Sequence, residues 1–387
     1  FHNVTPLAPS LALQAIETVA LGEDGTAFLS PDAPNRQKWA ALLRTLAYEP
    51  ELFDRATFLL AHFCAAESEK HNHNSMRSTF QGLFHLYLSG THALADQRLA
   101  LIRRLLDSDN PGLQACALEA LDAMLEAWHF SSGHDFSFGA RSRDFGWEPK
   151  TRGELVAWFR VTIGLARELA LSTSPYREKA RSVFARHFRA LWMRAEIPDD
   201  LECLAKELAA QDGWSDGWIA LRRIIRFEDD HMLPELAQRL RRLESKLRPH
   251  DLIPKIHAYV LSRTYHFLDI ADAEMDNDSH SDHQKAWEKV NQIVEELGRE
   301  TARTPEILAQ LLPQLLRDGP GQQGQFGHGL ATETHDLVGL WQQFRSVLAT
   351  LPNRERNVSL MRGFIDGATK RALGTANRLL DEAVTDP

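Results

Sequence analysis

The sequence predicts an all-α protein, an α-solenoid of stacked and irregular helical hairpins, and three observations carry that prediction. Leu, Ala, Arg and Glu dominate, while the Val/Ile/Thr alternation expected of strands is almost missing. Apolar residues recur at helical spacing along most of the chain, as in Leu101, Leu105 and Leu106 and again in Leu113, Ala117, Leu118, Leu121 and Leu125. Prolines punctuate these stripes: Pro50, Pro111 and Pro175 stand 61 and 64 residues apart. So loose a period suits irregular hairpins better than a short exact repeat.

Taken in order, the first helix is expected over Leu11–Leu21, ending near Gly22, and a second over Asn35–Tyr48. Glu49-Pro50 breaks the chain, because the residue before proline is driven out of the helical region. The third helix, Leu52–Ala66, has Phe53, Ala56, Leu59, Leu60 and Phe63 on its inner side. The pair around Asp109-Asn110-Pro111 follows. Asp or Asn can cap the second helix there, and proline is pre-organised for its first turn. A turn at Ser174-Pro175 precedes a helix carrying Ala180, Val183, Phe184, Phe188 and Leu191. Further helices are expected at 200–210, 218–227, 233–247, 254–267, 284–300, 305–316, 334–351 and 357–383.

Two segments read as loops: Ser131–Thr151, and Asp318–Leu330, whose glycines and glutamines argue against a helix. The acidic stretch Met275–Asp282 suggests a boundary, giving residues 1–275 as one helical array, with an inserted aromatic and glycine loop at 130–151. Residues 276–387 then form a C-terminal helical subdomain with a flexible loop at 318–330.

The chain has 387 residues, 43% of them hydrophobic, which is enough for a sizeable core. A net charge of −9 argues against a general nucleic-acid coat, although residues 150–250 hold 19 Lys/Arg against 15 Asp/Glu. Cys64, Cys116 and Cys203 all sit in apolar helical stripes without paired spacing, so they read as buried, reduced thiols of a cytoplasmic protein. Without a run of about 18 apolar residues or a basic-then-apolar start, neither a membrane span nor a leader is expected in this sequence. A start at Phe1 suggests part of a longer chain.

The segment Leu101–Met124, with Asp109, Pro111, Leu113, Ala117, Ala120 and Leu121 in order, resembles a HEAT repeat, with Gln114 standing where arginine is usual. Asn74–Ala93 (NSMRSTFQGLFHLYLSGTHA) and Phe138–Thr151 (FGARSRDFGWEPKT) resemble segments of the C-terminal helical region of bacterial STAND-type NTPases, the NACHT- or AVAST-like antiphage proteins. That resemblance implies a non-catalytic sensor in a longer chain, preceded by an effector and an ATPase. Such a sensor binds a phage or partner protein and releases oligomerisation. No Gly-x-x-x-x-Gly-Lys-Ser/Thr loop is present, so the ATPase is expected elsewhere.

The residues themselves offer several sites. The loop at 130–151 gathers His134, Phe136, Phe138, Phe145 and Trp147 with Arg141 and Arg143, hinged by Gly133, Gly139 and Gly146. Arginine beside aromatics suits a protein-interface hot spot and also base stacking with phosphate contact. A loop whose aromatics fold back to plug a helix pair has the same composition. Arg222 and Arg226, neighbours at i and i+4, and Arg223, Arg239, Arg241, Arg242, Lys246 and Arg248 form a basic run that would attract an acidic partner or nucleic acid if it lined a concave surface. Trp214 and Trp218 are expected to pack between helices.

Seventeen histidines raise metal chemistry, most densely at His71/His73 and His280/His283. HxH and HxxH on polar loops fix no coordination geometry by themselves, and solvated loops are the expectation. Glu228-Asp229-Asp230-His231 suits the start of the helix near Leu233. His-Asp pairs at His134, His250 and His335 bring in a metal-dependent, all-helical phosphohydrolase of the HD kind as an alternative function. A nucleic-acid-binding helical repeat is the third. No cofactor is expected.

Overall fold

The protein, seen in a computed structural model, is described at residues 3–67, 75–128, 137–140, 142–228, 232–262, 267–271, 280–317, 319 and 321–384. The fold is all-α, and no strand forms among those residues. The contacts group into two compact units, Phe1–Leu204 and Ala205–Pro387. Met275, where the sequence suggested a boundary, lies outside the described residues.

In the first unit the helices are α1 (Pro9–Ala20), α2 (Gly25–Leu29), α3 (Arg36–Leu46), α4 (Pro50–Ala65), α5 (Met76–Gln81), α6 (Ala95–Leu106), α7 (Pro111–Met124), α8 (Arg152–Leu171) and α9 (Arg177–Arg194). The turn read from Asn110-Pro111 forms as expected. Asn110 Oδ1 accepts from Gly112 N at 2.8 Å, and Pro111 opens α7. Gly112 is required there for another reason, since a Cβ would sit 2.8 Å from Ala65 Cβ on α4.

The sequence reading assigns no helix between Thr151 and Ser174, yet α8 fills most of that stretch. Its start is marked by a capping box, Glu154 N donating to Thr151 Oγ1 at 3.2 Å and Thr151 N to Glu154 Oε2 at 2.9 Å. Hairpin α6/α7 lies against hairpin α8/α9, with α6 touching α8 and α7 touching α9. Side chains tie the two together: Arg103 to Glu168 at 2.8 Å, Tyr176 Oη to Leu106 O at 3.1 Å, and Asp122 to Arg186 at 2.9 Å and His187 at 2.7 Å. Burial alone would raise the Asp122 carboxyl, but His187, Arg186 and Lys179 outweigh it and hold the group below its ordinary value.

Helix α10 (Pro198–Asp212) contains the division between units. The second unit continues with α11 (Ser215–Glu228), α12 (Pro234–Leu247), α13 (Leu252–Ile256), α14 (Phe267–Ile270), α15 (His280–Ala302), α16 (Pro305–Leu315), α17 (Gln323–Glu333), α18 (Leu337–Thr350), α19 (Ser359–Arg371) and α20 (Leu373–Val384). A π turn, His257–Leu261, extends α13. The single helix expected over 357–383 is two, parted at Ala372.

The flexible loop expected at 318–330 is corrected by α17. Its glycines do not end the helix; they let neighbouring backbones approach it. A Cβ on Gly327 would lie 2.1 Å from Leu360 O of α19, one on Gly329 2.0 Å from Glu295 O of α15, and one on Gly363 1.7 Å from Gly324 O. Gly298 of α15 meets Phe326 O in the same way, at 2.3 Å. Phe326 and Leu330 are fully buried at the centre. Helix propensity costs about 1 kcal/mol per glycine relative to alanine, and close packing on two sides offsets it.

These contacts set a graded expectation for thermal denaturation followed by circular dichroism. Gly363→Ala should destabilise the second unit by about 1–3 kcal/mol or more, through overpacking against backbone that cannot yield. Gly324→Ala, whose Cβ meets only Ser359 O at 3.5 Å, should be tolerated. Gly164→Ala, in open space on α8, should stabilise by roughly 0.5–1 kcal/mol.

Candidate functional site

The loop singled out in the sequence is built on a second irregular segment, residues 82–94, between α5 and α6. That segment carries Leu83, Phe84, Leu86 and Ala93 into the core without regular hydrogen bonding, so its carbonyls need donors. Arg98, fully buried at 0% exposure, supplies them: Nε donates to Ala93 O at 3.0 Å, Nη1 to Leu83 O at 2.8 Å and His85 O at 2.9 Å, and Nη2 to Ser89 Oγ at 3.2 Å. Its guanidinium stands 4.9 Å over the Trp158 ring of α8. Arg44 of α3 reaches Thr79 O at 3.4 Å and Ser89 O at 3.5 Å. Burial pushes both guanidinium groups down to about 9, which leaves them charged at neutral pH.

Residues 142–150 then lie along that segment. Gly90 N donates to Phe145 O and Trp147 N to Thr91 O, both at 2.8 Å. Gly146, at φ +91°, makes the approach possible, because a Cβ would fall 2.5 Å from Thr91 N. Trp147 stacks on Trp158 with ring centres 5.5 Å apart, and Trp158 Nε1 donates to Met124 O at 3.0 Å.

Of the loop residues proposed as a binding site, Phe136 and Arg141 lie outside the described residues. Phe138 is buried, and the Arg143 side chain is only 5% exposed. Arg143 lies between the Tyr48 and Phe138 rings, 4.1 and 4.3 Å from their centres, and donates to Thr45 O at 2.6 Å. Phe145 is 57% exposed. The arrangement inside the loop is thus a plug for Arg143, Phe138 and Trp147, with Phe145 facing outward.

Beside it is a polar cluster that sequence reasoning did not single out. Asp144 Oδ1 accepts from Tyr48 Oη at 3.1 Å and Gly146 N at 2.9 Å, and lies 2.9 Å from His92 Nε2. Although partial burial works against it, the Gly146, Tyr48 and His92 contacts hold the Asp144 carboxyl below its ordinary value. Desolvation and Asp144 raise the Tyr48 hydroxyl. Chemically this is a fixed surface carboxylate beside an exposed phenyl ring. Tyr48, His92 and Asp144 are 44 and 52 residues apart in sequence, and no local spacing signals their meeting. A cleft next to the loop, lined by Asn3, Pro6, Leu42, Thr45 and Phe138, has no ionisable side chain among its lining residues.

The basic run goes a different way. Arg222 Nε donates to Asp269 O at 3.0 Å, and Arg226 pairs with Asp269 Oδ1 at 2.8 Å. The Asp269 side chain is 1% exposed, and the nearby Glu244, also buried, accepts from Trp218 Nε1 at 2.8 Å and Arg248 at 3.0 Å. Arg226 therefore neutralises the buried Asp269 carboxylate, Arg222 holds the Asp269 backbone with its Nη1 3.9 Å from Glu244 Oε1, and Arg223 is about half exposed. Trp214 and Trp218 are buried, as expected; Gly217 is needed because a Cβ would strike the Trp214 ring at 2.0 Å.

No group of three His, Cys, Asp or Glu residues suited to a metal occurs among the described residues. His71, His73, His134, Asp229, Asp230 and His231 lie outside them, as does the side chain of His280. Asp336, of the His335-Asp336 pair, caps α18 by accepting from Gly339 N at 2.7 Å. Cys64 and Cys116 are buried as expected, with Cys116 Sγ donating to Ala61 O at 3.8 Å. Cys203 is exposed, a correction to its expected burial. No helix among the described residues is long and apolar enough to cross a membrane. No protein-family model, curated protein or solved structure matches the chain.

Two measurements check this geometry. Arg98→Met should destabilise the first unit by more than about 3 kcal/mol in a denaturant titration, since it leaves several buried acceptors without donors. With a chromogenic disulfide reagent, the native protein should show one fast thiol, Cys203, and denaturation should release two more, because burial pushes the Cys64 thiol well above its ordinary value.

Proposed function

We propose that this chain is a non-catalytic protein-recognition module of a larger bacterial STAND-type defence NTPase, cytoplasmic, binding a phage or partner protein and assembling with the other domains of its own longer chain. The observation that supports this reading is the stacking of hairpin α6/α7 on hairpin α8/α9, helix against equivalent helix. Repetition of such units extends a scaffold whose outer surface is free to vary, which is how helical-repeat proteins bind partners. Asp336 serves as a helix cap, and Arg222 and Arg226 are held at Asp269, by its backbone carbonyl and its carboxylate, so these candidate residues serve folding.

The test has two arms. Immobilised protein is presented with a panel of purified phage structural proteins, and at least one should bind with a salt dependence much shallower than that of nucleic-acid binding. The same preparation is assayed against bis(p-nitrophenyl) phosphate with Mn²⁺, and no turnover above a metal-only control is expected. Turnover abolished by His335→Ala or Asp336→Asn would establish the phosphohydrolase instead, and steeply salt-dependent DNA or RNA binding weakened by Arg223→Ala would favour the nucleic-acid reading.

A further inference from the structure

Helix α1 carries apolar residues on two faces, and only one of them is buried in the fold. Leu13, Ile16 and Ala20 are buried against the first unit. A second face presents Leu11 and Val19, 68% and 43% exposed, with Ala15 between them, and Val4 and Leu7, 58% and 83% exposed, lie at the short turn just before the helix. Leu11, Ala15 and Val19 follow at i, i+4 and i+8, so they line one side of the helix. The one ionisable residue of α1, Glu17, is turned to its flank and paired with Arg55, Nε to Oε1 at 2.9 Å.

Single exposed leucines are ordinary on a protein surface; a contiguous row of them marks a contact. Charge says what kind. Residues 1–35 contain four acids, Glu17, Glu23, Asp24 and Asp32, and no Lys or Arg. Glu23 and Asp24 are exposed just beyond the last turn of α1, where the helix's own carbonyl end adds negative potential. The stripe is thus apolar along its length and negative at one end.

We infer that the outer face of α1 is a docking site for an amphipathic basic helix of a partner protein, laid along Leu7, Leu11, Ala15 and Val19 with its Lys/Arg rim toward Glu23 and Asp24. The inference rests on the recognition reading above and narrows it to one class of partner. Apolar side chains at i, i+3/i+4 and i+7 of the partner fill the row, and its cationic rim selects against acidic amphipathic helices.

The probe is a fluorescein-labelled 18-residue peptide of leucine and lysine in amphipathic order, with a leucine/glutamate peptide of the same order as comparison, read by anisotropy against the whole chain. The Leu/Lys peptide should bind, and Leu7→Ser with Leu11→Ser should weaken it at least about ten-fold. Both leucines are exposed, so an unchanged melting curve confirms that the variant is folded. Leu373→Ser with Leu380→Ser, exposed leucines in the other unit, should change nothing. Glu23→Lys with Asp24→Lys should reverse the preference toward the Leu/Glu peptide.

The inference is overturned by absence of peptide binding, by binding that the Leu7/Leu11 variant retains, by equal affinity for both peptides, or by a wild-type dimer that this variant dissociates, which would give the face to a second copy. If the peptide fails while a phage protein still binds, only this inference falls. If neither binds, the recognition reading falls with it.

Discussion

A fully buried guanidinium, Arg98, organises the first unit. The charge cannot be left in the core without acceptors, and the acceptors it takes are carbonyls of a segment that has no helix or sheet to satisfy them. Each need answers the other. Fixing residues 83–93 in this way sets Gly90 and Thr91 where they can pair with Phe145 and Trp147, and Trp147 in turn stacks on the Trp158 ring that the same guanidinium faces. One side chain on α6 therefore fixes two irregular segments and their contact with α8. With neutral acceptors in place of a carboxylate partner, the arrangement avoids a second buried charge and its desolvation.

The second unit depends on a different constraint, the removal of side chains. Where Gly298, Gly327, Gly329 and Gly363 occur, helix backbones meet at distances that any Cβ would forbid. Close backbone approach of this kind is familiar from helix pairs in lipid, where small residues substitute for a hydrophobic driving force. Here it coexists with the buried rings of Phe326 and Phe364, so packing density and apolar burial act together. The glycines are costly to helix propensity and essential to helix contact.

That double meaning explains where the sequence was legible. The all-helical class, the Asn110-Pro111 turn and most helix positions followed from periodicity and capping, which are local. The segment 318–330 did not, because glycine in an isolated helix is a breaker while glycine at a helix contact is a spacer, and only the neighbours distinguish the two. Arg98 was readable in principle: it precedes Leu101 and Leu105 at i+3 and i+7, an arginine on the buried stripe, whose burial demanded acceptors nearby. The Tyr48, His92 and Asp144 cluster had no such signal, since its members come from three separate segments.

The loop at 137–151 makes the same point about function. Arginine among aromatics describes an interface hot spot and an internal cation–π plug equally well, because both remove the guanidinium from water onto rings. What separates them is where the remaining N–H groups find acceptors. For Arg143 the acceptors are Thr45 O and Glu49 within the same unit, and for Arg222 and Arg226 they centre on Asp269. A side chain whose donors are already met inside the fold has little left to offer a ligand. Recognition is then better sought where the fold leaves apolar surface unburied, and among the described residues of the first unit α1 carries such a row in Leu11, Ala15 and Val19.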